Sequence, residues 1–154
     1  MRSVLAQLAD VSLEVLIGDD GSSPLTPGIV ERLSAEFPGV ISYFRHPVNL
    51  GSSANYQFLV ARARGAFIAH LDGDDFWLPG KLRAQWQVLR EQPDAAACYA
   101  NALVLDDDMA LRMLFTSVDR QRLDLAFMLA QGNFLNHSSM VYRAEHKDVA
   151  LGIS

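Results

Sequence analysis

The sequence predicts an α/β protein, with a mostly parallel sheet carrying helices on both faces. Two observations carry this reading. Short apolar runs that read as strands alternate with stretches of helical spacing through the first half of the chain. The first and third strands end in carboxylates, Asp19-Asp20 and Asp72-Gly73-Asp74-Asp75. Parallel sheets bind ligands at the carboxyl ends of their strands, where both acidic clusters fall.

The elements follow in order. Ser3 to Ala9 has Val4, Leu5 and Leu8 on one helical face, and Leu13 to Ile17 is an apolar run closed by Asp-Asp-Gly, a strand and a turn. Thr26-Pro27 reads as an N-cap followed by proline at the first helical position, opening a helix that stops at Pro38-Gly39. Val40 to Phe44 is a second strand, and Pro47 makes the following segment a loop. Ser52 or Ser53 caps a helix to Arg64, and Ala66 to Leu71 is the third strand. From Pro79 a helix places Leu82, Trp86 and Leu89 on one face. The remainder is richer in strands: Ala95 to Tyr99, Ala102 to Leu105, Leu111 to Val118 and Ser138 to Tyr142, with a short helix over Arg122 to Ala130.

Composition narrows the function. At 154 residues, half of them hydrophobic and a fifth charged, the chain builds one hydrophobic core. A net charge of -5 with scattered basic residues argues against a nucleic-acid binder. The single cysteine, Cys98, excludes an internal disulfide framework and fits a reducing compartment. No run approaches the roughly 20 apolar residues of a membrane helix, and Arg2 to Leu8 is too short and polar for a signal peptide. The expectation is a cytoplasmic protein, with peripheral association at the inner face of a membrane left open.

The Asp72/Asp74/Asp75 cluster is the strongest chemical signal. Carboxylates concentrated at one strand end are costly unless a cation neutralises them, and a hard divalent ion such as Mg²⁺ or Mn²⁺ bridging a diphosphate suits oxygen ligands. A solvated turn leading into the Pro79 helix is the plainer alternative. Asp19-Asp20-Gly21-Ser22 is weaker, since Asp-Gly after a strand is a common turn, and Asp106-Asp107-Asp108 reads as a hairpin turn. Gly80-Lys81-Leu82 is no Walker loop, no Gly-x-Gly-x-x-Gly follows a strand, and Phe76 and Trp77 spoil an EF-hand. Cys98 reads as a small core residue, and the four histidines show no zinc-ligand spacing among themselves or with it. His137 is either a loop histidine capping the next strand or a residue of an acceptor pocket.

Taken together, the segments Leu16-Ile17-Gly18-Asp19-Asp20-Gly21-Ser22-Ser23, Asn49-Leu50-Gly51-Ser52-Ser53-Ala54-Asn55 and Ala63 to Asp75 resemble the family 2 glycosyltransferases, which have the GT-A fold, a Rossmann-like nucleotide-diphospho-sugar transferase architecture. Trp77-Leu78-Pro79-Gly80-Lys81-Leu82 continues the likeness, and Asn133 to Arg143 looks like the family's acceptor-side strand. The resemblance covers nearly the whole chain and rests on the order and spacing of weak motifs. It implies transfer of a sugar from a nucleotide-diphosphate-sugar to an acceptor hydroxyl, metal-dependent and inverting, in glycan or surface polysaccharide synthesis. Asp19, Asp20, Asn49, Gly51, Asn55 and Asp72 would bind the nucleotide-sugar. Asp72 and Asp74, as the Asp-x-Asp (DXD) motif, would hold the metal, and Asp75 and His137 would face the acceptor.

Two departures accompany the resemblance. Family members usually open with an apolar strand ahead of the helix corresponding to Ser3–Ala9, and their catalytic base is an acidic residue downstream of Arg143. Glu145 and Asp148 are the late carboxylates and fit that role poorly. The expectation is therefore a partial GT-A domain over residues 1–154, lacking the first strand, with its general base beyond Ser154 and weak or absent turnover. A non-catalytic nucleotide- or metal-binding module on the same fold is the alternative from another class. A receiver domain wants a late strand ending in lysine, and Lys147 follows none. A nucleotidyltransferase wants a glycine-rich, basic N-terminal loop, also missing here.

Overall fold

The structure, a computed structural model, describes residues 1–132 and 134–152. It opens with a short helix, α1 (Arg2–Leu5), continued by a 3₁₀ turn over Ala6–Ala9. Strand β1 (Val15–Asp19), helix α2 (Thr26–Glu36) and strand β2 (Ile41–Arg45) form a parallel crossover unit, with Val15 opposite Ile41 and Asp19 opposite Arg45. The β1 register lies two residues beyond the predicted window, so Asp19 belongs to the strand itself. Backbone pairing decides this: His46 N donates to the Asp19 carbonyl at 2.9 Å, extending the ladder past the apolar run.

Helix α3 (Ser52–Val60) packs on β1 and leads to β3 (Phe67–Ala69); helix α4 (Lys81–Glu91) leads to β4 (Ala97–Cys98). After the β5–β6 hairpin (Leu103–Leu105 and Leu111–Leu114) and α5 (Leu125–Gln131), strand β7 (Val141–Arg143) returns between β3 and β4, antiparallel to both. A last helix, α6 (Lys147–Leu151), follows a 3₁₀ turn and packs on α3. The α/β class thus holds, with one difference from the expected sheet. Among the described residues the parallel ladder is confined to β1–β2, because the chain re-enters the second sheet from the opposite end after the hairpin and α5. No hydrogen bonds join β1 to β3.

Helix ends depart from the predictions where backbone geometry outranks side-chain type. Thr26 lies inside α2 rather than capping it. The residue preceding α3 is Gly51, at φ 80°, a conformation glycine adopts without strain; no serine side chain caps that helix. The helix ends at Val60, not Arg64. Helix α4 begins at Lys81, and its buried face is Gln85 and Leu89, while Trp86 turns outward beneath the Arg90 guanidinium. Asp124 caps α5 by accepting from Phe127 N at 2.8 Å. Ser138 and Ser139 fall in a 3₁₀ turn ahead of β7, outside the strand.

The core gathers Val60 of α3, Ile68 of β3 and Tyr142 of β7, with Leu89 of α4 wholly buried nearby. Buried polar side chains lock the segment that leads from β3 to α4. Gln7, 1% exposed, donates to the Leu78 carbonyl at 3.0 Å and accepts from Leu82 N at 3.2 Å. Ser3 Oγ accepts from Trp77 N, and Trp77 Nε1 donates to the Ser138 carbonyl at 2.8 Å. The N-terminal turns therefore help to hold the loop that carries Asp72, Asp74 and Asp75. Asn133, first residue of the acceptor-side segment, lies outside the described residues.

Candidate active site at the strand ends

Two groups of polar residues sit at the carboxyl ends of the strands. The first lies beyond β1 and β2, around a cleft of about 550 Å³ lined by Asp20, Gly21, Arg45, His46 and Asn49 among others. Asp19 underpins this cleft from within. Its carboxylate is only 4% exposed, accepts from the Tyr43 hydroxyl, takes a 2.8 Å bond from Gly21 N, and faces Arg45 at 4.0 Å. The Tyr43 hydrogen bond, helped by Gly21 N, Arg45 and His46, holds its carboxyl below the usual range despite burial.

Asp20 braces the loop after β2. Its Oδ1 accepts from Leu50 N at 3.2 Å, its carbonyl accepts from Asn49 Nδ2 at 3.4 Å, and Asn49 Oδ1 accepts from Gly51 N at 2.9 Å. Asp20, Asn49 and Gly51 are thereby brought together. Asn55, in the first turns of α3, reaches the same strand end: its Nδ2 donates to the Gly18 carbonyl at 3.1 Å, and its Oδ1 accepts from His46 Nε2 at 3.0 Å. That contact assigns the Nε2 proton to His46. Gly18 is required here, since a Cβ would lie 1.9 Å from Asn55 Oδ1.

The second group lies beyond β3. Backbone pairing continues past the strand through His70 N, which donates to the Met140 carbonyl at 3.2 Å. The pairing of β3 with β7 sets His70 against His137, whose rings stack with centroids 3.9 Å apart. His70 Nε2 donates to Asp72 Oδ1 at 2.9 Å. Ser138 secures the other side of Asp72, accepting from its backbone N at 2.9 Å and donating to Oδ2 at 3.2 Å. Tyr56 stands edge-on to both imidazoles, and its hydroxyl meets that of Tyr142 at 3.2 Å.

Electrostatics polarise this cluster. Burial raises the Asp72 carboxyl, but His70, Ser138 and His137 outweigh it and the net displacement is downward. Burial and the neighbouring His70 push His137 down, against the pull of Asp72. The result is an ionised carboxylate, 54% exposed, beside an imidazole that resists protonation.

Of the residues predicted from sequence, Asp20, Asn49, Gly51 and Asn55 converge on the first group, with Asp19 beneath them, and Asp72 and His137 on the second. Asp74 and Asp75 are exposed on the intervening turn, and Asp75 N donates to the Asp72 carbonyl at 3.2 Å. Their carboxylates do not join Asp72 in a three-ligand group. The histidine spacing concealed a real neighbourhood: His70 and His137 are 67 residues apart in sequence, and the β3–β7 register makes them adjacent. Tyr43, Arg45, His46, Tyr56 and Ser138 also escaped the sequence reading, because local patterns carry no signal for such contacts. Cys98 is a half-buried strand thiol whose pKa burial pushes up. Asp106 Oδ1 accepts from Asp108 N and Ala110 N, making its triplet the hairpin turn expected.

An α/β domain with acidic strand ends, a polar cleft and a histidine–carboxylate cluster is an arrangement that several reactions could use. Comparison with known proteins narrows it: residues 1–145 match glycosyl transferase family 2, and the chain belongs to that family, whose fold is GT-A. It is 32% identical over 142 residues to an uncharacterized protein of Mycobacterium tuberculosis, covering 91% of this chain and 41% of that protein. An uncharacterized glycosyltransferase of a Nostoc species is 28% identical, over 94% of this chain and 46% of its own length. The succinoglycan biosynthesis protein ExoO of Rhizobium meliloti is 32% identical, over 95% and 39% respectively. The chain therefore spans less than half the length of these relatives. Among the described residues, no helix is long and apolar enough to cross a membrane.

Proposed function

We propose that this chain forms the donor-binding part of a glycosyltransferase that moves a sugar from a nucleotide-diphosphate-sugar to an acceptor hydroxyl in polysaccharide assembly. One observation carries the reading. The cleft beyond β1–β2 and the Asp72 cluster are bridged by consecutive residues of α3, Asn55 bonding to the first and Tyr56 packing on the second. A ligand with a nucleoside at one end and a diphosphate at the other would span such a pair of subsites. In this reading Asp19 and Asp20, with Asn49, Gly51 and Asn55, shape the nucleoside end, and Arg45 adds a cation at the cleft wall.

Asp72 and Asp74 are the proposed metal ligands. The fit is chemical: Asp72 is ionised, half exposed and has unused lone pairs, and Asp74 is exposed. When bound, a Mg²⁺ or Mn²⁺ ion offsets charge building on the departing nucleotide diphosphate. Asp75 and His137 lie on the acceptor side in this reading, with the His137 pKa pushed down by burial and by His70. Inversion by in-line attack requires a general base, and no described residue is assigned to that role. A cytoplasmic site of action belongs to the same proposal, and so does partnership with a glycan or lipid-linked acceptor.

Calorimetric titration of the chain with UDP, with and without Mn²⁺, tests the reading against an Asp72→Asn/Asp74→Asn variant. Metal-dependent binding that the variant loses is the expected result. Equal binding by both proteins, or none by a folded chain, would remove the assignment of these carboxylates. Metal-dependent binding with no transfer to any acceptor would favour the non-catalytic module.

A further inference from the structure

The geometry points to a transition-metal site formed by His70, Asp72 and His137, separate in donor set from the carboxylate pair proposed above and sharing only Asp72 with it. One ligand atom from each residue lies within 4.8 Å of those of the other two. Two imidazole nitrogens and one carboxylate oxygen suit Zn²⁺, Co²⁺ and similar ions, and are poor partners for Mg²⁺, which prefers an all-oxygen octahedron. A tetrahedral ion at 2.0–2.1 Å from each donor would want them about 3.3 Å apart. His70 Nε2 and Asp72 Oδ1, at 2.9 Å, are already that close, and His137, stacked on His70 with ring centroids 3.9 Å apart, has to turn out of the stack for its nitrogen to converge on the same point.

The cluster has the support a metal site requires. Asp72 is oriented by two contacts with Ser138, which is buried and whose carbonyl is held by Trp77 Nε1. Both imidazoles are confined by the edge of Tyr56. His70 is anchored through its backbone to Met140, three residues past His137, so the two ligands ride on one paired framework. Such supporting contacts orient ligands and raise affinity. An ion bound at His70 Nε2 would displace the hydrogen now donated to Asp72 Oδ1, and the neutral imidazole would carry its single hydrogen on Nδ1 instead. Asp72 faces solvent enough to admit the ion, while His70, 16% exposed, closes the inner side.

The test uses Co²⁺ as a visible probe and Zn²⁺ by calorimetric competition, on the whole chain freed of metal and without nucleotide. We expect one equivalent of either ion to bind, with cobalt absorption indicating a low-coordinate site and Zn²⁺ raising the melting temperature. His137→Ala, at an exposed position, should weaken binding by more than the roughly 10–100-fold that loss of a supporting group costs. His70→Gln should do the same, and Asp74→Asn should change affinity less than about twofold. His146→Ala serves as the control for adventitious surface binding, because His146 lies 3.7 Å from Glu145. No stoichiometric binding, binding that survives His137→Ala, or binding that Asp74→Asn abolishes would each overturn the site. Because nucleotide is absent, failure here leaves the UDP titration untouched, and failure of that titration leaves this site standing.

Discussion

Gly18 and Asn55 occupy complementary space: the Asn55 amide lies where a side chain at 18 would be, and it donates to the Gly18 carbonyl at 3.1 Å. The same amide accepts from His46, so one residue of α3 ties β1 to the loop after β2. A methyl at 18 displaces Asn55 and breaks both bonds. Gly18→Ala and Asn55→Ala should therefore each cost about 1–3 kcal/mol in urea unfolding. The double variant should cost no more than Asn55→Ala alone, since the clash has lost its partner. Additive costs would show that Gly18 serves some other purpose.

Ser138 offers a different kind of test, because it touches Asp72 twice and is not itself a proposed metal ligand. Ser138→Ala should leave the fold intact and weaken Mn²⁺-dependent UDP binding by roughly 10–100-fold, as loss of an orienting group does. Calorimetry reads this directly. An unchanged affinity would mean that His70 and the backbone suffice to position Asp72.

Lys81 has a buried Nζ without a hydrogen-bond partner, 4.4 Å from the Trp77 ring centre, and burial lowers its pKa to about 8. In the unfolded chain lysine titrates near 10.4. Between those values the unfolded state binds the extra proton, so stability rises with pH through that window and the penalty for the buried ammonium is complete below about 8. Lys81→Met should therefore be more stable than the parent at pH 7, with the advantage shrinking toward pH 10. Cys98, raised by burial but pulled down by Lys81, loses stability in the alkaline range more strongly in Lys81→Met, which adds to the shrinking of the advantage. Parallel stability curves for the two proteins would contradict this account.

Arg143 ties β7 to the end of α4. Its Nε donates to the Ala95 carbonyl at 2.9 Å, and its Nη2 donates to the carbonyls of Leu89 and Gln92. Arg143→Met should destabilise by at least the roughly 1.5–3 kcal/mol of one charged hydrogen bond. Arg143→Lys should restore little, because a single ammonium does not reproduce a planar fork bonded on several sides. Full recovery with lysine in thermal melts would show that charge alone matters.

Much of the fold was legible because it follows local pattern. The apolar runs ending at Asp19 and before Asp72, the proline opening α2 and the acidic turn of the β5–β6 hairpin are all local signals, and the structure keeps each within a few residues. Helix ends were less legible. Gly51 and Gly80 set the starts of α3 and α4 through backbone conformation, where the sequence offered serines and a proline as competing signals. The buried face of α4 was misplaced for a different reason. Gln85 is buried because its amide donates to the Cys98 and Ser139 carbonyls, a pairing hydropathy alone does not anticipate.

The sequence by itself determined the α/β class, the acidic strand ends and, through the order of its motifs, the family. These depend on residues close together in the chain, where periodicity and turn chemistry act. Tertiary structure alone decided which distant groups share a site. The antiparallel return of β7 beside β3 brings His137 and Ser138 to Asp72, and α3 carries Asn55 and Tyr56 to two different strand ends. Strand pairing and helix packing set those neighbours across the sequence, and no local spacing encodes them.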